Sequence, residues 1–510
     1  MSRLVVVSNR VAAAPGAAGG LAVAIGCALT ERPALWFGWS GERTAKFDGA
    51  LGRRQQGALE IATLDLEDAD LDEYYNGYAN AALWPLFHSR TDLAAYDRSF
   101  SEGYERVNRR FATALAPLLK PDDQVWVHDY HLIPLGRELR RLGFAGPIGF
   151  FHHIPWPAPQ LFVTLPHHRD LAASLFAYDL VGMQTADDVA AFSAYVLGEA
   201  GGVREGSRLR AFGHTLATGA FPVGLDTPRF LELAASEEAE RTCDRMAAHG
   251  LFRSLIVGVD RLDYSKGIPE RLLGFEHYLK SHPDMVRNVL YLQIAPTSRE
   301  AVEAYQALAA NVLAHAARIN AAWAEMDHAP VLYMNRNLTR AELAGVYRAA
   351  RVGLVTPLRD GMNLVAKEYV AAQSPGDPGV LVLSRFAGAA AQMKDALIVN
   401  PYAREELAEA LDEALRMDRP ERVRRWESLM AGVARNDIDA WRDAFIAALT
   451  EARQPRGPAA ELPRRPAILP AERLGRGGVA QLSSERLGAP PASGADRPAS
   501  ERGWRPTGRG

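Results

Sequence analysis

The stretch VGLVTPLRDGMNLVAKEYVAAQ at residues 352–373 decides the fold. It opens with a short apolar run, turns at Gly361 and continues with the apolar spacing of a helix. A buried strand that leads through a tight loop into a helix is the building unit of parallel sheets covered on both faces. Gly361 lets the backbone approach a ligand, and the N–H groups of the helix start point outward. The stretch therefore predicts a ligand-binding strand end.

The same alternation of strands and helices runs along most of the chain. Further strand-like runs lie at 4–8, 125–128, 148–151, 180–182, 255–259, 289–294, 331–335, 380–384 and 397–399. These are too many strands for one sheet of usual size. The stretch FPVGLDT at 221–227 is a plausible end of the first unit. We predict an α/β fold with an N-terminal domain over residues 1–235 and a second over 236–450.

The composition indicates a folded body and a C-terminal tail that is rich in Pro and Arg. The chain has 510 residues, of which 48% are apolar and 23% charged, as in ordinary globular proteins. Its 58 Lys and Arg nearly balance 61 Asp and Glu, so the net charge of −3 gives no overall attraction to nucleic acid or anionic membrane. Residues 455–510 carry nine Pro and ten Arg against five acids. This composition predicts a disordered tail over 451–510.

Apolar runs and cysteines bear on the compartment. No run of about 18 apolar residues could span a bilayer, and MSRLVVVSNR at 1–10 lacks the longer apolar core of a secretion signal. Cys27 and Cys243 are far apart and show no metal-ligand spacing, which is typical of a reducing compartment. We expect a cytoplasmic protein without nucleic-acid or membrane partners.

Polar side chains follow the apolar runs in both halves. In doubly wound sheets, ligands bind beyond the carboxyl ends of the strands. The groups found there are Asn9-Arg10, Asp129, His152-His153, Asp260-Arg261, Ser298-Arg299 and Arg359-Asp360. Loops after strands are polar in many proteins, so one such residue means little. Their repetition predicts two rows of polar groups that face one cleft.

Two cations share the loop VDRLDYSKG at 259–267, ahead of a helix start. Arg261 and Lys266 suit phosphate oxygens, because side-chain charge and helical N–H groups act together there. The alternative is a surface loop in which Asp263 pairs with Lys266.

Three further features are ambiguous when taken alone. Glu368 could accept two hydroxyls of a diol, or could be an acid that the helix dipole favours near its N-terminus. Gly19-Gly20 precede a helix but lack the full spacing of a known phosphate loop. Asp68-Ala-Asp70 matches a metal-binding DxD, yet its place in an acidic run at a helix start indicates capping.

Together the motifs resemble glycosyltransferase family 20, the trehalose-6-phosphate synthases, from residue 1 to about 450. They are SNR at 8–10, GGLAV at 19–23, WFGWSG at 36–41, DEYYN at 72–76, LWPLFH at 83–88, VHDYHL at 127–132, FFHHIPWP at 150–157, VDRLDYSKG at 259–267, IAPTSR at 294–299 and TPLRDGMNLVAKEYVAAQ at 356–373. The resemblance implies the GT-B fold, in which two Rossmann-like domains face across a cleft. It also implies a last helix that packs back on the first domain, and a homo-oligomer, either dimer or tetramer.

The resemblance further implies a reaction. Glucose passes with retention from a nucleoside diphosphate, UDP being favoured over GDP or ADP, to the anomeric hydroxyl of glucose 6-phosphate. No carboxylate stands out as a nucleophile for double displacement, so front-face substitution is favoured. The family implies no cofactor and no metal, because cationic side chains neutralise the departing diphosphate.

The matching positions fall into three groups. The catalytic group is Arg261, Lys266, Asp360 and His153. The donor group is Gly19, Gly20, Arg261, Lys266, Leu338, Asp360, Gly361, Met362, Asn363, Leu364 and Glu368. The acceptor group is Arg10, Tyr75, Trp84, Asp129 and Arg299, of which the two arginines would clasp the acceptor phosphate.

Three alternatives stay open on the sequence. A sister transferase would use another phosphorylated acceptor, such as glycerol 3-phosphate, and a nucleotide-sugar epimerase would need no second phosphate clasp. A catalytically inactive binding protein should have lost Arg261, Lys266 or Asp360, and all three are present.

Overall fold

Two sheets form the centre of the molecule. The structure is a computed structural model that describes residues 2–11, 33–249, 254–297, 303–326 and 328–453. The strands of the first sheet are β1 (Leu4–Arg10), β2 (Ala34–Thr44), β3 (Gly52–Gln56), β4 (Leu59–Glu67), β5 (Gln124–His128), β6 (Ile148–Phe151), β7 (Leu180–Met183), β8 (Val203–Glu205), β9 (Arg208–Ala211) and β10 (His214–Ala220). Those of the second are β11 (Ser254–Val259), β12 (Val289–Ile294), β13 (Val331–Met334), β14 (Val352–Val355), β15 (Val380–Ser384) and β16 (Leu397–Val399).

The first sheet has the order β3-β4-β2-β1-β5-β6-β7-β10-β9-β8. Its strands are parallel from β4 to β10, as the sequence predicts, but β3, β9 and β8 at the edges are antiparallel to their neighbours. The edge strands are joined through tight turns at Gly57, Gly206 and Gly213, all with φ between +60° and +77°. Such short connections produce antiparallel hairpins, which the strand–helix alternation does not reveal.

The second sheet has the order β13-β12-β11-β14-β15-β16 and is parallel throughout. Every residue of β12, β14 and β15 is buried. Burial on both faces explains why these strands are continuous apolar runs rather than alternating ones.

Helices cover both sheets. Their bounds are Leu71–Leu83, Trp84–Phe87, Arg98–Leu115, Leu135–Arg141, Pro159–Phe162, His168–Leu175, Ala186–Gly198, Thr227–Ala234, Glu237–His249, Ile268–Ser281, Glu303–Trp323, Arg340–Ala349, Leu364–Ala372, Arg404–Arg416, Arg419–Arg435 and Ile438–Ala452. Among the helices that the structure describes, none combines the length and apolarity needed to cross a membrane.

The chain crosses between the sheets twice at nearly the same place. The first crossing follows β10, and the second precedes the helix Ile438–Ala452. The two are joined by a hydrogen bond of 3.0 Å from the amide of Ile438 to the carbonyl of Leu225. A Cβ at Gly224 would lie 2.0 Å from the carbonyl carbon of Asp437, so the close approach requires glycine.

The last described helix, Ile438–Ala452, packs on the first sheet. The Phe445 ring stacks on Trp126 at a centroid distance of 4.7 Å. It also fills the space over Gly149 and Gly182, where an added Cβ would come within 2.8 and 2.7 Å of the ring. The described residues thus pack into one compact unit. The domain limit at 235/236 stays a prediction. The tail predicted over 451–510 starts too early, because the last helix continues to Ala452, and from residue 454 onward it lies outside the described residues.

Candidate active site

An ion pair marks the carboxyl ends of the second sheet. The Lys266 ammonium lies 2.5 Å from Oδ2 of Asp360, and the Asn363 amide donates to the same oxygen at 3.0 Å. The Lys266 and Asp360 side chains are 12% and 13% exposed, so both reach the surface of the cleft. The structure thus brings Lys266 against two residues of a loop about ninety positions further along the chain.

Asp263 has a different role from the lysine partner considered above. It is fully buried and accepts hydrogen bonds from the Ser265 amide at 3.0 Å and the Tyr305 hydroxyl at 3.0 Å. The Trp84 indole of the first sheet's half also donates to it, at 3.4 Å. The exposed Arg261 lies over that indole, with its guanidinium carbon 6.0 Å from the ring centroid. The loop at 259–267 is therefore held by hydrogen bonds and forms one wall of the cleft.

A buried arginine that the sequence gave no reason to single out supports this loop. Arg271 binds Asp260 at 2.9 Å, the Thr356 hydroxyl at 3.1 Å and the Lys266 carbonyl at 3.2 Å. A fully buried cation is tolerated because it is paired and hydrogen-bonded on several sides. Arg271 holds the ends of β11 and β14 in fixed register.

The loop between β14 and the next helix presents free amides. Asn363 has φ +72°, and the helix begins at Leu364. Within the described part of the chain, the N–H groups of Gly361, Met362 and Asn363 have no protein acceptor. A Cβ at Gly361 would lie 1.9 Å from the carbonyl oxygen of His153. The loop therefore touches the first half of the molecule and offers donors suited to oxygen-rich ligands.

The facing edge of the first sheet contributes Asp129 and His153. Asp129 has φ +73°, and its amide donates to Phe151 at 2.8 Å. Its carboxylate accepts from the His153 amide at 3.1 Å. A non-glycine residue in this region of backbone space is held there by its surroundings, and such strain clusters at functional sites.

Glu368 lies one turn into the helix that starts at Leu364. Its side chain is 18% exposed and its Oε1 is 3.4 Å from the Arg340 guanidinium. Burial raises the pKa of this carboxyl, while Arg340 opposes the rise. Leu338, just ahead of the helix Arg340–Ala349, is partly buried against the apolar core that contains Val346 and Val370.

The neighbouring Lys367 points into the interior. It is 1% exposed, and its ammonium donates to the Val223 carbonyl at 2.8 Å and to Oε1 of Gln392 at 2.9 Å. Burial lowers the pKa of Lys367 to about 7. The helix that carries Glu368 is thereby fastened to the first chain crossing.

A row of rings connects the residues assigned to the acceptor. The Arg10 guanidinium lies over Trp39 at 5.5 Å, and Trp39 contacts Tyr75 with a centroid distance of 6.0 Å. Tyr75 stacks on His131 at 5.9 Å with an interplanar angle of 13°. Trp39 and His131 lie in the motifs WFGWSG and VHDYHL, but the sequence assigned them no role.

Tyr75 lies in an unusually wide helix, and Trp84 follows directly after it. Over Leu71–Leu83 the backbone hydrogen bonds span five residues, and the helix ends with a bond from the Trp84 amide to the Ala79 carbonyl. Such widened turns are rare and are frequently found at functional sites.

Some predicted positions are not part of this arrangement. Gly19, Gly20 and Arg299 lie outside the described residues. Asp70 is buried, accepts from the Glu67 amide and pairs with Arg106 and Arg110, which confirms its capping role. In the ranges that the structure describes, no group of three or more His, Cys, Asp or Glu side chains is placed to hold a metal ion.

Comparison with known proteins matches this chain to one family. The model of glycosyltransferase family 20 matches residues 7–451. A trehalose-6-phosphate synthase from Sinorhizobium fredii is 48% identical over 459 residues, which cover 88% of this chain and 98% of the relative. One from Escherichia coli strain K12 is 45% identical over 455 residues, covering 88% and 96%.

Solved structures show the same fold. A UDP-forming α,α-trehalose-phosphate synthase from Burkholderia xenovorans, in complex with glucose 6-phosphate, superimposes with a TM-score of 0.85 at 47% identity, covering 88% of this chain and 100% of that one. The E. coli protein bound with UDP-2-fluoro glucose also gives 0.85, at 45% identity, covering 88% and 99%. The fold is therefore that of the GT-B synthases.

Proposed function

Because this chain belongs to glycosyltransferase family 20 and is a retaining glucosyltransferase that forms trehalose 6-phosphate, we propose that the cleft described above carries out that reaction. The donor is UDP-glucose, which fits the UDP-forming relatives. The acceptor is glucose 6-phosphate, and the products are α,α-trehalose 6-phosphate and UDP.

The second half of the molecule binds the donor. Asp360 and the free amides of Gly361, Met362 and Asn363 take hydroxyls of the transferred glucose. Glu368 accepts the ribose hydroxyls, and the backbone at Leu338 meets the base, while Leu364 begins the helix whose N-terminal dipole faces the phosphates. Gly19 and Gly20 close over the phosphates in this assignment, which for them rests on the sequence alone.

The cations of the loop at 259–267 stabilise the leaving group. As the bond from glucose C1 to the diphosphate oxygen breaks, negative charge grows on UDP beside Lys266 and Arg261. The bond to the acceptor oxygen forms on the same face, and the acceptor proton passes to a phosphate oxygen. The chain's part is therefore to place positive charge, to orient both sugars and to exclude water.

The first half binds the acceptor. Arg10 and Arg299 hold the 6-phosphate, and Tyr75, Trp84 and Asp129 form the rest of the pocket. His153 contacts the transferred glucose from the facing side. The row of rings from Trp39 to His131 supports this assignment, because aromatic faces pack well against sugar rings and hold Arg10 at the rim.

One observation carries the proposal: the Lys266–Asp360 ion pair lies at 2.5 Å beside three amides that have no acceptor among the described residues. The cation can bind a diphosphate, and the carboxylate and the amides can bind the hydroxyls of the sugar joined to it. An epimerase would need no ring-lined pocket with Arg10 at its rim, so this feature favours transfer.

The test is nucleotide release by the purified protein. UDP-, GDP- and ADP-glucose are each offered with and without glucose 6-phosphate, in buffer containing EDTA. We expect release with UDP-glucose that requires glucose 6-phosphate and survives the chelator. Release without acceptor would indicate an epimerase or hydrolase, and no release would reject the assignment.

A variant series tests the leaving-group role. Lys266→Met should lower kcat/KM by on the order of 10²–10³, because it removes a charge that acts in the transition state. The control is Lys394→Met, the same change at an exposed lysine of the same half. Wild-type turnover of Lys266→Met would refute its role.

The compartment and the assembly stay predictions of the sequence. We propose a cytoplasmic enzyme that assembles as a homo-dimer or tetramer. Light scattering of the purified protein behind a sizing column tests the assembly, and a monomeric mass at micromolar concentration would contradict it.

A further inference from the structure

Two histidines on neighbouring strands of the first sheet share a hydrogen bond. Nδ1 of His128, the last residue of β5, lies 3.0 Å from Nε2 of His153, which follows β6. The carbonyl of His153 also lies directly against Gly361 of the second half. The hydrogen bond therefore joins an interior ring to a residue at the surface of the cleft.

His128 is enclosed by aromatic rings. It is fully buried, with Trp126 at a centroid distance of 4.5 Å, Trp441 at 6.1 Å and Phe151 at 6.3 Å. This burial lowers the pKa of His128 to about 3, and burial also holds the pKa of His153 well below its ordinary value. Both rings are neutral at physiological pH, so each carries one ring proton and their shared hydrogen bond has one donor.

The surroundings of His128 decide which ring donates. Its other nitrogen, Nε2, is buried and has no hydrogen-bond partner in the described part of the chain. If His153 were the donor, the proton of His128 would sit on that Nε2 as a buried N–H without an acceptor oxygen or nitrogen. Among buried backbone groups an orphaned N–H is rarer than an acceptor with an unused lone pair, and we apply the same order to the imidazole ring. The proton is therefore better placed on Nδ1 of His128.

The donor assignment fixes the second ring. When Nε2 of His153 accepts, the proton of His153 must be on Nδ1. His153 is only half-buried, and its Nδ1 is not sealed in the interior as Nε2 of His128 is. The free edge of His153 is then a hydrogen-bond donor rather than an acceptor.

We propose that His128 is a positioning residue that holds His153 as its Nδ1–H tautomer, so that His153 donates a hydrogen bond to a hydroxyl oxygen of the transferred glucose. The glucose contact rests on the proposed function, whereas the tautomer does not. His128 touches no substrate in this proposal and acts only through the neighbouring ring.

The tautomer is measured directly. Long-range ¹H–¹⁵N correlation spectra of protein labelled at the histidine nitrogens distinguish Nδ1–H from Nε2–H rings, and His153→Gln identifies the signals of His153. We expect His153 as Nδ1–H in the wild type at pH 7.5. An Nε2–H signal for His153 would overturn the proposal whether or not the protein transfers glucose.

Activity separates positioning from packing. His128→Phe keeps the ring volume but removes the donor, and should lower kcat/KM for UDP-glucose about tenfold, with KM for glucose 6-phosphate within about twofold. His128→Asn places an amide donor near the position of Nδ1 and should recover most of the loss. Trp126→Phe disturbs the packing around His128 without touching the hydrogen bond, and should stay within about twofold of wild type.

Equal losses in His128→Phe and Trp126→Phe, or no recovery in His128→Asn when that variant has a wild-type melting temperature, would refute the positioning role. Failure of the wild type to transfer glucose would instead refute the proposed function, and the tautomer measurement would still decide the hydrogen bond.

Discussion

Lys367 provides a test of the structure that does not depend on activity. Its ammonium is buried against the Val223 carbonyl and the Gln392 amide, both neutral acceptors, and burial lowers the pKa of Lys367 to about 7. In the unfolded chain a lysine has a pKa near 10.4. Between these values the unfolded chain binds more protons than the folded protein does. The free energy of unfolding therefore rises with pH over this range.

The magnitude follows from the two pKa values. A group with pKa about 7 folded and about 10.4 unfolded adds roughly 2 kcal/mol of stability between pH 7 and pH 9. The two hydrogen bonds favour the charged form, so this figure is an upper value. For a chain of this size, 2 kcal/mol corresponds to about 2 °C in melting temperature.

The perturbation is Lys367→Met, which removes the titrating group and keeps the length of the side chain. Thermal unfolding is followed at pH 7, 8 and 9 for wild type, Lys367→Met and the exposed control Lys394→Met. The melting temperature of wild type should rise relative to that of Lys367→Met by up to about 2 °C between pH 7 and 9. The control should follow wild type. A constant difference between wild type and Lys367→Met would show that Lys367 keeps its ordinary pKa in the folded protein, and would refute the lowered pKa.

Other substitutions test the cleft. Gly361→Ala should lower kcat at least about tenfold, because the added Cβ would collide with the His153 carbonyl. Turnover assays at saturating substrate measure this effect. A wild-type kcat would contradict the close approach. Arg10→Met should raise KM for glucose 6-phosphate about tenfold or more and leave KM for UDP-glucose nearly unchanged; an equal rise in both would reject the acceptor assignment. Glu368→Gln should raise KM for UDP-glucose alone. Because burial raises the pKa of Glu368, wild-type KM for UDP-glucose should increase on acidification at a higher pH than an ordinary glutamate would give, and a flat KM from pH 5 to 7 would oppose this role.

Much of the fold follows from local sequence patterns. Continuous apolar runs predict the parallel strands, and the polar residues after them predict the edge where Asp129, His153 and Asp360 lie. These predictions succeed because burial of a strand on both faces leaves a strong local signal. The short edge strands β3 and β8 give no such signal, since their residues are exposed on both faces.

The pairings inside the site are harder to predict. Lys266 pairs with Asp360, 94 residues away, although Asp263 is nearer in sequence. Which carboxylate a lysine pairs with depends on where β11 and β14 lie in the sheet. The periodicity of the sequence does not show which strands are neighbours. The widened backbone of the helix Leu71–Leu83 is likewise hidden, because side-chain spacing over a few turns does not distinguish i→i−4 from i→i−5 hydrogen bonds.

The position of the last described helix limits how this protein can be divided. Ile438–Ala452 is encoded after the second sheet but covers the first, with Phe445 seated over Gly149 and Gly182. A fragment that stops near residue 235 would expose Trp126 and a groove lined by glycine, and we expect it to aggregate unless a peptide of the final helix is supplied in trans. In chimeras between family members, we expect the protein to fold when this helix and the first sheet come from the same parent. We expect folding to be impaired when the helix comes from the parent of the second sheet instead.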